Sequence, residues 1–162
     1  MVVKTTRITI ETESLLVVRR GKTIVTWCPA CCAEAEAMTL DGYVVEPVTP
    51  WETASGGKAI GCPRQACSAA FRWKGTPGWY RIAVQYFDER DGVARYRLFV
   101  GEQLIDEWLA DDDLPSDAPN GHTSTRRTVT GIALRPGDEI RIEGATDAKD
   151  RADIDYLEIT QE

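Results

Sequence analysis

Two runs of alternating side chains constrain the fold of this chain more than any other feature. In WYRIAVQYF (79–87) and ARYRLFV (94–100), apolar or aromatic residues alternate with arginine or glutamine. A period of two places the apolar set on one face of an extended strand. The polar turn signal DERDG (88–92) separates the two runs, as is typical of neighbouring antiparallel strands. The pattern therefore predicts half-buried antiparallel strands.

The rest of the chain contains further predicted strands, which are also separated by turn signals. Gly101-Glu102 predicts a tight hairpin into QLIDEW, and RPGD (135–138) is a Pro-Gly turn signal between RRTVTGIAL and EIRIEG. IDYLEI (154–159) is predicted to be the last strand, and the only helix-like composition is the short AEAEAM. Short strands with turn signals every 8–12 residues or so are typical of an antiparallel β-sandwich. The fold class predicted is therefore all-β.

The sequence pattern changes near residue 33, from a short β segment that ends in cysteines to longer strands separated by turn residues. The first segment reads as β over residues 7–27, turns at Gly21-Lys22 and ends in CPACC. It is too short to bury a core alone. We therefore predict two parts, a small β-hairpin and cysteine appendage at 1–32 and a sandwich at 33–162. The whole chain has 162 residues, enough for one ordinary domain with a core.

Charge and hydropathy exclude two classes of partner. The formal net charge is −7, whereas nucleic-acid binding needs a basic face. The chain contains no apolar run of the roughly 18 residues that a membrane-spanning helix needs. Its N-terminus has neither a continuous apolar region nor a small-residue cleavage site. We expect a cytoplasmic protein, or an extracellular or periplasmic one if a leader precedes this sequence.

The sequence contains no convincing catalytic constellation. Its only histidine, His122, lies in the loop segment NGHTST, and no strained nucleophile turn precedes any serine. Asp111, Asp112 and Asp113 form an acidic run that is typical of a solvated loop. We therefore predict that the protein is not an enzyme.

The five cysteines leave several interpretations open. Cys28 and Cys31 have the spacing of a zinc knuckle, and with Cys62 and Cys67 they could supply four thiolates. The second pair, however, is spaced too widely for a usual knuckle. Alternatively, Cys62 and Cys67 form a local disulfide in an oxidising compartment, and Cys28 and Cys31 are half a metal knuckle or inert thiols.

Three acidic residues are candidate calcium ligands. Glu34 and Glu36 are two residues apart, so their carboxylates share one side of an extended segment. Asp155 lies in the last strand on the face of Leu157 and Ile159, where an unpaired charge would be costly. Hard oxygen ligands without a basic partner suit calcium. The alternative is a solvated glutamate pair, with Asp155 hydrogen-bonded to backbone amides.

The order of several segments resembles a family of sugar-binding domains. EAEAMTLDGYVV, ASGGKAIG, GWYRIAVQYFDE, RLFVGEQLIDEW, LRPGDEIRIEG and IDYLEI follow one another as in the calcium-containing carbohydrate-binding modules of families 6 and 35. The likeness covers roughly residues 33–162. PWETASGGKA and HTSTRRT also resemble segments of the modules attached to bacterial α-glucuronidases and other plant-polysaccharide hydrolases.

This resemblance implies a fold and a set of residues. Such modules are jelly-roll sandwiches of the galactose-binding-like type, with a structural calcium near the chain termini. Their E-x-E motif falls on Glu34 and Glu36, and their closing motif falls on Asp155. They often carry an asparagine where this chain has Asp153, which puts the inherited hydrogen bonding in doubt. The resemblance also favours the disulfide interpretation of the second cysteine pair.

The function predicted is non-catalytic binding of a plant cell-wall polysaccharide or a glycan that contains uronic acid. The partner is a polysaccharide or oligosaccharide, and a parent glycoside hydrolase is a second one. Sugars stack on aromatic faces while polar groups contact their hydroxyls. The candidate ligand contacts are Trp51, Trp108, His122, Arg126 and Asp153. The alternatives are a structural or protein-interaction sandwich that has lost its sugar site, and a zinc-knuckle regulatory protein.

Overall fold

A computed structural model of the protein describes residues 18–19, 22–23, 32–147 and 149–162. The chain divides into two compact units, Met1–Cys32 and Ala33–Glu162. In the first unit, two short strands pair antiparallel, with Val18 opposite Thr23 and Arg19 opposite Lys22. Lys22, which was predicted to lie in a turn, is the first residue of the second strand, and Gly21 lies outside the described residues. The other parts of the β segment predicted at 7–27 lie outside the described residues.

The remainder of the described chain is built almost wholly from strands. Its elements are β1 Val18–Arg19, β2 Lys22–Thr23, β3 Cys32–Glu34, β4 Thr39–Asp41, β5 Val44–Pro47, β6 Lys58–Gly61, β7 Ala66–Arg72, β8 Gly78–Phe87, β9 Arg95–Val100, β10 Gln103–Leu109, β11 Ser124–Leu134, β12 Glu139–Ala145 and β13 Ile154–Gln161, with the 3-10 turns η1 Ala35–Ala37, η2 Trp51–Thr53 and η3 Ser55–Gly57. No helix among the described residues is long and apolar enough to cross a membrane.

The strands form two sheets. One has the order β10-β9-β12-β7-β4, and the other has the order β11-β8-β13-β6-β5, with β3 also paired to β13. Adjacent strands whose register is resolved run antiparallel. The prediction of an all-β antiparallel sandwich is confirmed, as is the prediction that the last strand lies beside the segment at Glu34.

The core lies between the two sheets. Ile82 and Val84 of β8, Leu98 of β9, and Ile140 and Ile142 of β12 are all fully buried. Ile82, Val84 and Leu98 are apolar members of the alternating runs, and the arginines that alternate with them are exposed, as the period of two predicts. Ala83 and Phe87 of β8 are exceptions, because they are buried on the opposite face. The opposite members of those runs form the outer faces of the sheets.

One irregularity positions a site residue. The pairing of β13 with β8 shifts its register between Ile154 and Tyr156, so Asp155 lies at a β-bulge. Ile154 and Asp155 are consecutive and both buried, which a regular strand with one face outward would not allow. The bulge thus turns a carboxylate into the protein at the start of the last strand.

Candidate functional site

The loop between β5 and β6 holds Trp51 at the surface. Val48 N donates to Gly57 O at 3.0 Å and closes the base of the loop. Val48 and Ala54 are buried together with Phe87, whose place in the β8 alternation puts its side chain on the outer face of the sheet. Trp51 itself is 70% exposed. The loop is therefore anchored by apolar packing, while its indole ring is open to solvent.

The loop between β10 and β11 adjoins the Trp51 loop. A Cβ added to Gly121 would lie 3.2 Å from Thr53 Cγ2, so the two loops are in contact there. The neighbouring His122 is exposed, and its backbone N–H donates to Asn120 Oδ1 at 2.8 Å. The structure thus places Trp51 and His122 on touching loops, although they are far apart in the sequence.

Arg126 belongs to a polar patch on the outer face of the six-stranded sheet. Its Nε donates to Gln85 Oε1 at 3.0 Å, and its two terminal nitrogens donate to Glu158 Oε2 at 2.8 Å and Tyr156 Oη at 2.6 Å. Gln85 Nε2 in turn donates to Ser124 Oγ at 2.7 Å. The guanidinium is therefore fixed in one orientation, and the patch presents hydroxyl, amide and charged groups side by side.

Two predicted ligand contacts are buried. Trp108 is 7% exposed, and its ring stacks on Tyr96 with centroids 5.3 Å apart and an interplanar angle of 15°. Asp153 is 2% exposed. The prediction that these side chains meet a ligand at the surface is therefore corrected, because Trp108 packs in an aromatic cluster of the core and Asp153 lies beneath the loops.

Asp153 is one of four carboxylates buried where β8 and β12 end, with Asp88, Glu89 and Asp150. We call this group the loop-end acidic cluster. Burial and then the charges of Asp153 and Asp150 raise the pKa of Glu89 to about 8. Burial also raises the pKa of Asp153 to about 7, although the charge of Arg151 opposes this.

Backbone amides satisfy only part of the loop-end acidic cluster. Asp150 accepts from Ala152 N at 2.9 Å and Ala94 N at 3.3 Å. Glu89 Oε1 and Asp153 Oδ2 are buried without a hydrogen-bond partner. Sequence reasoning missed Glu89, because DERDG was interpreted only as a turn, and it missed Asp150, which lies in the connection between two predicted strands. For Glu89, the sequence signal was an acidic residue just after the predicted strand 79–87.

Glu34, Glu36 and Asp155 form a second group, the terminal acidic cluster. Ser55 connects two of its members, because its backbone N–H donates to Asp155 Oδ1 at 2.9 Å and its hydroxyl donates to Glu34 Oε1 at 2.8 Å. The β3–β13 pairing and the bulge at Asp155 bring these residues together from opposite ends of the sandwich sequence.

The electrostatics of the terminal acidic cluster are unfavourable as long as all three carboxylates are charged. Burial, followed by the charges of Glu34 and Glu36, raises the pKa of Asp155 to about 7, against the effect of the Ser55 amide. Burial and the charge of Glu36 also raise the pKa of Glu34, although its hydrogen bond from Ser55 lowers it. Glu34 Oε2 and Glu36 Oε2 are buried without a hydrogen-bond partner.

The donor set of the terminal acidic cluster fits a hard cation. Its free atoms are carboxylate oxygens, and no basic side chain contributes to the shifts in pKa. In the described part of the chain, however, no group of three or more His, Cys, Asp or Glu side chains is placed so that it could hold a metal ion. The cluster therefore supplies the oxygen atoms that a hard cation prefers, but its side chains do not converge on one point, and Ser55 bridges Glu34 and Asp155.

The cysteines separate into two cases. Cys62 and Cys67 are joined in a disulfide with Cα atoms 5.7 Å apart. A disulfide leaves no thiolate for a metal, so these two cannot complete a four-thiolate zinc site with the first pair. Cys28 and Cys31 lie outside the described residues.

No family model matches the chain, but curated proteins do. It is 35% identical over 132 residues to α-glucuronidase A of Aspergillus tubingensis, which covers 76% of this chain and 16% of that protein. It is also 35% identical over 136 residues to α-glucuronidase A of Emericella nidulans, with 80% and 16% covered. The chain thus spans about a sixth of these relatives. They are fungal, so the bacterial part of the expectation is unsupported.

Solved structures share the fold. A family 35 carbohydrate-binding module from Clostridium thermocellum superposes with a TM-score of 0.60 at 14% identity, over 81% of this chain and 97% of that one. The C-terminal family 6 module of a laminarinase from Zobellia galactanivorans gives 0.54 at 18% identity, over 80% and 98%. The chain therefore shares the β-sandwich fold of these carbohydrate-binding modules, and it is similar in sequence to part of fungal α-glucuronidases.

Proposed function

We propose that this protein is a non-catalytic carbohydrate-binding module for plant cell-wall polysaccharide, including glycans that contain uronic acid. The observation that carries the proposal is an exposed tryptophan on an anchored loop of a carbohydrate-binding-module fold. The names of the relatives supply the class of polysaccharide, because an α-glucuronidase acts on glucuronic acid linkages. As the chain spans 16% of those relatives, a parent glycoside hydrolase is the proposed partner.

The surface around Trp51 has the chemistry that sugar binding needs. A sugar ring presents C–H groups to an aromatic face and hydroxyls to polar side chains. Trp51 provides the ring, and His122 lies on the loop that touches its own. The patch around Arg126 supplies hydrogen-bonding groups in fixed positions. Its guanidinium also offers a positive charge for a uronate carboxylate, although Glu158 already pairs with it.

Calcium at the terminal acidic cluster is the second part of the proposal. Glu34, Glu36 and Asp155 are the proposed carboxylate ligands. A dication relieves the repulsion between three partly buried carboxylates and uses the oxygen atoms that now lack partners. Its role is structural, because it joins the start of the sandwich to the last strand. The cluster also adjoins the loop that carries Trp51, because Ser55 of that loop donates hydrogen bonds to Glu34 and Asp155.

A glycan array tests the sugar-binding proposal. Plant cell-wall oligosaccharides with and without uronic acid are screened with wild-type protein and Trp51→Ala, each in calcium and in chelator. We expect saturable binding by the wild type that is at least about tenfold weaker in Trp51→Ala, a loss of about 1.4 kcal/mol. Both proteins are expected to melt at the same temperature, since Trp51 is exposed.

Two results would contradict the proposal. The first is no saturable binding to any glycan by wild-type protein that is folded and calcium-loaded. The second is equal binding by wild type and Trp51→Ala, which would move the site elsewhere. If the first result came with a dimer whose population depends on concentration, the protein-interaction sandwich would be the better interpretation.

A further inference from the structure

A groove lies where the edges of the two sheets meet. β10 and β11 are edge strands of different sheets, and Arg127 Nε donates to Asp106 Oδ2 at 2.7 Å between them. Further along both strands, a groove opens that is lined by Trp79, Leu104 and Ile132, among others. We call it the edge groove. It does not include Trp51, His122 or Arg126.

The edge groove is neutral and contains an exposed aromatic ring. Trp79 is 62% exposed and Leu104 is 46% exposed. None of the residues that line the groove is charged, whereas 28% of the chain is. A second groove, on the outer face of the five-stranded sheet, is lined by Arg97 and Glu143 in a salt bridge at 2.7 Å. The edge groove therefore differs in charge from this second groove.

Polar groups are placed along this apolar surface. Gln103 and Thr130 both line the edge groove, and neither side chain makes a hydrogen bond within the described residues. The register of β11 against β8 shifts between Val129 and Ile132. Gly131, within that shift, would have no atom within 4 Å of an added Cβ. The wall of the groove is therefore open at that point, and the residues that line the groove include one with an amide, one with a hydroxyl and one with an indole ring.

We propose that the edge groove is a second carbohydrate subsite, which takes a neutral sugar chain. An exposed indole suits the C–H face of a pyranose, and Gln103 and Thr130 suit its hydroxyls. The absence of a lining cation selects against a uronate, because a carboxylate would lose hydration there without gaining a charged partner. The inference rests on the proposed function. The edge groove would bind the neutral backbone of a polysaccharide, while the surface around Trp51 and Arg126 would bind its charged substituents.

An NMR titration of the full chain tests this subsite by following the tryptophan indole N–H signals and the backbone amide signals. The probes are xylohexaose, cellohexaose and mannohexaose, all neutral. We expect at least one to shift the indole N–H signal of Trp79 and the amides of residues 103–105 and 129–131. Trp79→Ala should weaken the binding reported by those amides by about tenfold or more. Trp79→Phe, which keeps an aromatic ring, should weaken it less.

Trp51→Ala is the matched control, since among the described residues it removes the other exposed tryptophan. Shifts in the edge groove that persist in Trp51→Ala and vanish in Trp79→Ala support the second subsite. Shifts confined to the Trp51 loop would overturn the subsite and leave the proposed function standing. Shifts in the edge groove that grow with protein concentration without sugar would overturn it in favour of a second copy. No response at either surface to these probes or to uronate-bearing oligosaccharides would overturn both proposals.

Discussion

At the scale of single residues, the sandwich carries more buried negative charge than its hydrogen bonds satisfy. Oxygen atoms of Glu34, Glu36, Glu89 and Asp153 are buried without a partner. Leaving a carboxylate in this state costs free energy, and protonation or a cation is what relieves it. The two acidic clusters therefore make the stability of this protein sensitive to pH and to divalent cations, each in a direction that follows from its residues.

Calcium should stabilise the wild type through Asp155. Calcium binds the folded chain and not the unfolded one, so at a hundredfold excess over its dissociation constant it adds about 2.7 kcal/mol to the free energy of unfolding. Asp155→Asn should lose most of this gain. In chelator the same variant should be at least as stable as wild type at pH 8, because the carboxylate with its raised pKa is gone. Thermal melts with calcium and with chelator measure both effects.

Trp51→Ala is the control for this prediction, and its calcium-dependent gain should equal that of wild type. If chelator leaves the wild-type melting temperature unchanged and elemental analysis finds no calcium, then the calcium proposal is wrong.

Glu89 should make the folded state less stable as pH rises. Its pKa is about 8 when folded, against 4.5 for the unperturbed group. A carboxyl whose folded pKa is raised holds its proton more tightly in the folded state, so its stabilising effect is complete below 4.5 and is lost as pH rises to about 8. Glu89→Gln should remove the contribution of Glu89 to the dependence of stability on pH. At pH 8 the free energy of unfolding of this variant should exceed that of wild type by roughly 2 kcal/mol.

Urea unfolding at pH 5 and at pH 8 in chelator measures the effect of Glu89. Glu102→Gln, at an exposed position of the β9–β10 turn, is the matched control and should keep the wild-type slope. Equal pH slopes in wild type and Glu89→Gln would show that Glu89 is not the responsible group.

At the scale of elements, close approach of strands and loops to the core decides which positions tolerate change. Gly144 of β12 is such a position, because an added Cβ would lie 2.1 Å from Tyr43 Oη and 2.8 Å from Ala152 Cβ. Tyr43 is itself buried, and its hydroxyl donates to Ala152 O at 3.1 Å. The sequence EIRIEG shows a glycine at the end of a strand but not the side chain that requires it.

Gly144→Ala should destabilise the sandwich by roughly 1–3 kcal/mol, the usual cost of overpacking a core. Gly78→Ala is the matched control in another strand, because its added Cβ would lie 3.2 Å from the flexible end of Gln161 and 3.3 Å from Tyr80 Cε2, both much looser contacts than those at Gly144. We expect the control to change stability by less than about 0.5 kcal/mol. Urea midpoints at constant slope measure both variants. Equal midpoints for Gly144→Ala and wild type would contradict the packing described here.

At the scale of the whole molecule, every residue assigned to sugar or calcium lies within the compact unit Ala33–Glu162. The solved modules match about four-fifths of the chain, such as 81% for the family 35 module.

A truncated chain of residues 32–162, which keeps all of β3, should therefore fold and bind glycan as the full chain does. We expect its dissociation constant to lie within about twofold of the full-length value. Isothermal titration with the best array ligand measures this, and circular dichroism checks the fold. A truncated chain that folds but fails to bind would mean that residues before Cys32 take part in the site.

The sequence by itself determined the architecture, because local patterns carry it. The alternation in 79–87 and 94–100 appears in the structure as the burial pattern of β8 and β9, and the predicted turns separate the observed strands. The resemblance to carbohydrate-binding modules of families 6 and 35 followed from the order of such segments. Period and turn chemistry are properties of neighbouring residues, so one chain is enough to read them.

Only the tertiary structure decided which side chains meet and which are exposed. The sequence made Trp51 and Trp108 both candidate ligand contacts. In the structure, Trp51 is 70% exposed on a loop, whereas Trp108 is 7% exposed beside Tyr96. The bulge at Asp155, the burial of Glu89 and the edge groove at Trp79 were equally invisible. Each depends on which distant strands pair and on where their register slips, and those contacts join residues that share no local pattern.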